Sequence, residues 1–359
     1  MKFALIFTLF ILTATGCAKL SYLTEQGIEQ VKLQWGGKDN DSLLKDPKVS
    51  EEVKRKIMLI GEYKKYFYYY FSEKPSSIYS KTSILENKAV TYLVVASPHT
   101  KIEAHEFEFP FMGGFPYIGF FKLDSAKDFA KRLEEDENLV TWIRPVYAYS
   151  TLGYLEDRIL SSFFEYDDIE LAELIFHELF HTLFFITDEV DLNENLANLF
   201  GSALMQEHFK GRPELTRYLD DVKQKKEINQ RVVDLIGILQ MEFAKLGGFI
   251  TDKKSDELTE RFVNEVFKPD LRALCDKLSL AAEDCELKET WNQASFAAFL
   301  TYEENQDFLE QLRGEQNLNF KDFLSWLRME HKKFKKQKKI ESFTDYLKTK
   351  VKNAPTPTY

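Results

Sequence analysis

His177, Glu178 and His181 stand in the order H-E-x-x-H within an otherwise apolar stretch, Leu174 to Thr182. On a helix, residues four apart project from one face a turn apart, so two imidazoles at that spacing can reach one ion at about 2.0–2.1 Å. Glu178 falls beside them without being a ligand. A carboxylate there takes a proton from zinc-activated water and later returns it to a leaving amine, which is the chemistry of peptide-bond hydrolysis. The plain alternative is a buried helix whose histidines find only backbone partners. The run from Asp168 to Ile186 is free of Gly and Pro and too apolar for a solvated face, which favours the metal reading.

A catalytic zinc takes three protein ligands and leaves one position open. Downstream stands Asn193-Glu194-Asn195-Leu196-Ala197-Asn198, read as the start of a second helix with Asn193 as its N-cap. The segment Phe185 to Leu192 turns the chain back so that Glu194 becomes the third ligand; Asp188, Glu189 and Asp191 are its rivals. Asn198, one turn after Glu194, can accept a hydrogen bond from a ligand imidazole, although an amide raises ligand basicity less than a carboxylate. Stabilising the developing oxyanion calls for a further donor. Tyr149, at the end of an expected strand, is the candidate, with Tyr147 and Tyr154 competing and a purely structural tyrosine an equal alternative. His99, His105 and His208 are isolated and read as structural or surface residues.

The elements that must position these groups divide the chain in two. Apolar and aromatic residues recur at helical spacing from Glu51 to Phe71, and the aromatic run Tyr66 to Phe71 reads as core packing rather than a ligand contact. Short β-rich runs follow at Val90 to Ala96, Tyr117 to Lys122 and Leu139 to Tyr149, with a helix at Asp124 to Glu134 between them. Asp39-Asn40-Asp41 reads as a break. From Asp168 onward the pattern is helical, with turns near Asp188 to Asn193, Gly211 to Pro213, Gly247-Gly248 and Gly314. No internal repeat is found. The expected class is α+β, a zincin-like metallopeptidase with a β-containing N-terminal half and a mostly helical half carrying the H-E-x-x-H helix. The expected division is a signal over 1–16, a tether with a short helix over 17–48, one peptidase domain over 49–353 with lobes at 49–160 and 161–353, and a disordered tail over 354–359.

Taken together, several segments are similar to the bacterial predicted-aminopeptidase family of exported zinc-dependent lipoproteins. The resemblance rests on Phe109-Pro110 with Gly113, Tyr117-x-Gly119-Phe120-Phe121, Ala148 to Gly153, the H-E-x-x-H segment, Asn193-Glu194-Asn195-x-Ala197, and Trp291-Asn292-Gln293-Ala294, with a later segment around Phe323. It spans nearly the whole mature chain. It implies a zinc peptidase and, beyond that, exopeptidase specificity for substrates with a free amine. Two departures stand out: Phe180 and Thr182 replace the family's usual alanine and glutamine and so bear on the pocket wall. Asn198 stands where the wider glutamate-ligated zinc peptidases, which this segment also resembles, carry an acid.

The N-terminus speaks to compartment. Lys2 precedes an apolar run, Phe3 to Leu12, too short to cross a bilayer as a helix, and Ala14-Thr15-Gly16-Cys17 resembles a bacterial lipobox. Cys17 would then carry the lipid. An exported chain anchored to a bacterial membrane is expected, the outer one because Ala18 follows, with an ordinary cleaved signal as the alternative. Cys275 and Cys285 could close a small loop or remain thiols. The 44% hydrophobic content supplies a sizeable core, and a formal net charge of -10 argues against nucleic acid as a partner. The basic stretch His331 to Lys339 reads as a solvated helical face, with anionic lipid headgroups as a second reading. The functional expectation is a one-zinc aminopeptidase acting on peptides; an envelope zinc endopeptidase and a non-catalytic metal-binding surface lipoprotein are the alternatives.

Overall fold

A computed structural model describes residues 36–85, 89–109, 113–146, 158–187, 189–247, 250–281, 285, 287, 290–302, 307–337 and 342–351. The signal, Cys17, most of the tether, the tail and the segment 147–157 with Tyr147, Tyr149 and Tyr154 lie outside these residues, as do Pro110, Asp188, Gly248 and the last two lysines of the basic stretch.

Helices and small sheets are mixed, which makes the architecture α+β. β1 (Lys38–Asp39) runs into α1 (Asn40–Lys45), and the Asp39 side chain accepts from Asp41 N as the helix N-cap. The expected break at Asp39-Asn40-Asp41 is therefore a helix start, because the short carboxylate satisfies an amide that would otherwise lack a partner. α2 (Glu51–Phe71) is capped by Ser50 at one end and ends on Ser72 in the left-handed region. Phe67, Tyr68 and Phe71 of the aromatic run are buried, as the packing reading requires, while Tyr69 is 85% exposed.

The longest strand ladder lies in the first half. β3 (Thr91–Pro98) pairs antiparallel with β7 (Leu139–Val146) from Thr91↔Val146 to Pro98↔Leu139, and β6 (Ile118–Phe120) flanks β3 on its other edge. α3 (Leu123–Asp136) connects β6 to β7 and lays Ala126, Ala130 and Leu133 against Val94, Ala96 and Phe120. β4 (Phe107–Phe109) and β5 (Gly113–Phe115) form a separate hairpin, and β2 (Lys81–Ser83) lies between β1 and β8 (Ile159–Leu160). The three expected β-rich runs thus pair as one sheet, and the two further small sheets among the described residues were not anticipated. Strands of two or three residues leave no alternation to read in sequence.

The helical half begins with a 3-10 turn (Ser161–Glu165) and α4 (Asp168–His181). A capping box starts α4: Asp167 accepts from Glu170 N while Glu170 reaches back to Asp167 N. Asp168, in its first turn, is gripped by Arg55 and by buried Lys56 of α2, and Tyr63 donates to Asp168 O. α5 (Val190–His208), α6 (Pro213–Leu246) and α7 (Asp252–Phe262) follow. A π turn (Val263–Phe267) joins α7 to α8 (Lys268–Leu278). The wider turn accommodates Pro269, which has no amide to continue the ladder. A disulfide joins Cys275 to Cys285, with Cα atoms 6.3 Å apart. α9 (Gln293–Tyr302), α10 (Asp307–Glu315), α11 (Phe320–Phe334) and α12 (Phe343–Lys348) complete the order, so Gly314 lies inside a helix and the turn follows it. No described helix is long and apolar enough to cross a membrane.

Three apolar clusters result. One gathers α2, α4, α5, α11 and α12; a second gathers α6 to α9; the third lies between α3 and its sheet.

Candidate metal centre

α4 and α5 pack along their length, and aromatic rings fill the seam. Phe180 stacks on Phe200 at 4.2 Å between centroids, and Phe200 in turn stacks on Phe323 of α11. Phe180 is fully buried, and Thr182 donates to Leu179 O and lies 3.1 Å from the Tyr68 hydroxyl. Both residues at which the chain departs from the family pattern therefore point into packing with α5 and α2, away from the cluster of donors described next.

At the seam three polar side chains converge. His177 Nε2 lies 3.3 Å from Glu194 Oε2, His181 Nε2 lies 3.5 Å from Glu194 Oε1, and the two Nε2 atoms are 3.3 Å apart. Donor atoms about 2.0–2.1 Å from one centre at tetrahedral angles stand about 3.3–3.4 Å from each other. The separations are close to that size, with the two histidines facing different oxygens of the Glu194 carboxylate, so the donor set fits a cation such as zinc. These three residues form the metal-competent group of acidic, histidine or cysteine side chains found among the described residues.

The tautomer supports the same fit. His177 Nδ1 donates to Asn198 Oδ1 at 2.8 Å, which leaves the Nε2 lone pair facing the other donors. Burial disfavours the imidazolium of His177, but the Glu194 carboxylate, the charge of Glu178 and the Asn198 amide outweigh it, and the net direction is up. His181 has less help. Burial and the neighbouring His177 charge push it down to about 4 against the pull of Glu194, so it is neutral at pH 7 with its lone pair available. Burial raises Glu194, and the two histidines overcome that and hold it below the usual carboxylate value. Glu178 is 7% exposed, on the next position of α4.

The other candidates fall elsewhere. Asn193 is a correction: α5 begins at Val190, so Asn193 is not its N-cap but lies 1% exposed in the first turn. Its amide donates to Ile186 O and accepts from Ile186 N, stapling the connecting loop to the helix that carries Glu194. Glu189 is committed to α12, where it accepts from the amides of Phe343 and Thr344 and from the Thr344 hydroxyl. Asp191 is exposed. His208 is structural, ringed by Tyr63, Tyr66, Phe176 and Phe209.

One positioning residue escaped the sequence reading. A Cβ on Gly201 would meet His177 N at 3.0 Å, Glu173 O at 3.1 Å and His177 Cα at 3.2 Å. Gly201 is what lets α5 approach the α4 backbone beside the first histidine. The available signal was a lone glycine inside an apolar helical pattern, which generally has a packing reason.

A family model described as "Putative aminopeptidase" matches residues 21–342. The chain belongs to this aminopeptidase family. The match covers α4, α5 and every described strand, and the family description points to a peptidase. No curated protein and no solved structure matches the chain.

Proposed function

We propose that this member of the aminopeptidase family is a zinc-dependent peptidase, acting on peptides with a free amine, in which His177, His181 and Glu194 hold a single zinc ion. The observation that carries the reading is the set of three separations, 3.3, 3.3 and 3.5 Å, among donors presented by two helices. When bound, zinc supplies Lewis acidity, making water a stronger nucleophile and the scissile carbonyl a better electrophile.

The chain's own residues do the rest. Glu178 takes the proton from water as its oxygen adds to the carbonyl carbon, then delivers it to the leaving nitrogen as the C–N bond breaks. Asn198 holds the His177 ring in the tautomer that presents Nε2. Tyr149 is the proposed donor to the oxyanion. The proposed setting is a bacterial membrane surface, to which a lipid on Cys17 tethers the domain; the lipobox-like Ala14-Thr15-Gly16-Cys17 supports it. The fold is proposed to be zincin-like, on the strength of the H-E-x-x-H helix and the acid-bearing helix packed against it.

The deciding experiment uses the chain from residue 18 onward. Zinc per molecule is measured for wild type and Glu178→Gln, and turnover is followed on aminoacyl and N-blocked peptides. About one zinc is expected in both proteins, with hydrolysis reduced about 10²–10⁴-fold in the variant. Unchanged turnover removes Glu178 from the mechanism. Cleavage confined to blocked peptides makes the enzyme an endopeptidase, and zinc with no cleavage at all makes it a binding protein.

A further inference from the structure

A cleft of about 670 Å³ opens between the start of β7, the α7 helix with its π turn, and the beginning of α9. None of its lining residues belongs to the metal group. One wall is Trp291-Asn292-Gln293, a stretch of the family pattern that the metal centre does not use. That wall is rigid. Asn292 Nδ2 donates to Thr141 O at 3.0 Å, and Gln293 Nε2 donates to His99 O at 2.8 Å and to Asp256 Oδ1 at 3.0 Å. Asp256 also holds His99 Nδ1 at 2.9 Å. A site whose polar groups are already fixed loses little freedom when a ligand enters.

The facing wall carries a charge gradient. Asp256, Glu260, Asn264 and Lys268 follow at intervals of four along one continuous helical run through the π turn, and all four line the cleft. Residues at that interval share a helix face. Two carboxylates thus stand at one end, an amide in the middle and an ammonium at the other. The side chains of Glu260, Asn264 and Lys268 have no hydrogen-bond or ion-pair partner among the described residues. Eight residues of helix separate Glu260 from Lys268 by about 12 Å. An extended peptide advances about 3.3–3.4 Å per residue, so the amine and carboxylate of a chain of three or four residues lie about that far apart.

We infer that this cleft is a second, non-catalytic site that binds a short peptide with both termini free. Its ammonium lies at the Asp256–Glu260 end and its carboxylate at Lys268, with the Asn264 amide facing the ligand backbone. A free amino acid is too short to reach both ends. The site does not depend on the metal reading, since a chain that held no zinc would still present it.

The test is calorimetric titration of the chain from residue 18 onward, in a Glu178→Gln background that keeps peptides intact, with trialanine, tetraalanine, alanine and N-acetyl-trialanine amide as probes. Saturable binding of trialanine and tetraalanine is expected, weaker by about tenfold or more in Lys268→Ala and in Glu260→Gln, and unaffected by adding His181→Ala. Thermal melting checks that the two substitutions leave the fold intact. The inference is overturned by absence of binding up to millimolar peptide, by equal affinity in both cleft variants, by loss of binding with His181→Ala, or by alanine or the blocked peptide binding as tightly as trialanine.

Discussion

The α4–α5 seam and the cleft beside α7 place polar groups in opposite surroundings. At the seam, stacked phenylalanines and the bare backbone at Gly201 bring α4 and α5 close together, and the imidazoles sit where burial presses on their protonation. Along the cleft, Glu260 and Asn264 are exposed, and the groups already paired, such as His99 with Asp256, are held by ordinary hydrogen bonds. A desolvated donor keeps its lone pair and binds a cation strongly; a hydrated charge on a helix face recognises a complementary charge and little more. The comparison assigns chemistry to the first region and recognition to the second, and it can be broken at either.

The largest effect should come from His181→Ala. Two remaining ligands neither retain nor orient the cation, so bound zinc should fall to near zero after dialysis and peptide hydrolysis by about three or more orders of magnitude. The cleft should be untouched. Wild-type zinc content in this variant would mean that the donors at the seam are a structural cluster and that the contrast between the regions is false.

A smaller loss is expected one layer out. Asn198→Ala leaves His177 Nδ1 without its acceptor and should weaken zinc binding about 10–100-fold in chelator competition, whereas Asn198→Asp should bind at least as tightly as wild type. Equal affinity in all three proteins would show that the amide does not set the tautomer.

The glycines sharpen the comparison further, through stability rather than metal. In Gly201→Ala the new methyl must push against the His177 and Glu173 backbones, and overpacking of that kind costs about 1–3 kcal/mol. In Gly237→Ala, within α6, the methyl meets nothing within 4 Å, and helix propensity alone should add about 0.5–1 kcal/mol. Opposite shifts in urea midpoint are expected. A stabilised Gly201→Ala would deny the close approach.

Much of this arrangement could be read from residue order, for physical reasons. The span of α2 follows from its helical apolar spacing, and the structure begins and ends the helix at the same residues. β3 and β7 declare themselves because strands of eight residues show a pattern. The triad was legible because one helical turn fixes the relation of His177 to His181, and because the chain reverses soon afterwards. Asn193 misled the reading: an asparagine ahead of a helical stretch looks like a cap, and only the fold reveals that its amide spans the loop to Ile186. The cleft was not legible at all. Its lining comes from three stretches separated in sequence, around Thr141, from Asp256 to Lys268 and from Trp291 to Gln293, and no local period links them.

His208 offers the smallest and most conditional effect, a pH dependence outside both regions. Burial lowers its pKa, the Arg212 charge adds to that, and Glu62 opposes both. The four surrounding rings carry no charge to compensate a protonated imidazole. Because the folded value lies below the ordinary one near 6.5, the unfolded chain binds the proton first, so the stability is fully present above about pH 6.5 and declines as pH falls through the lowered value. His208→Phe keeps an aromatic ring in the cage and removes the titration. Urea midpoints of wild type and variant should run parallel above neutrality and draw together, in favour of the variant, on acidification from about pH 7 to 5. His181 titrates in the same sense but in both proteins, so the difference between them isolates His208. A constant difference across that range would mean that the cage accepts the protonated ring as readily as water does.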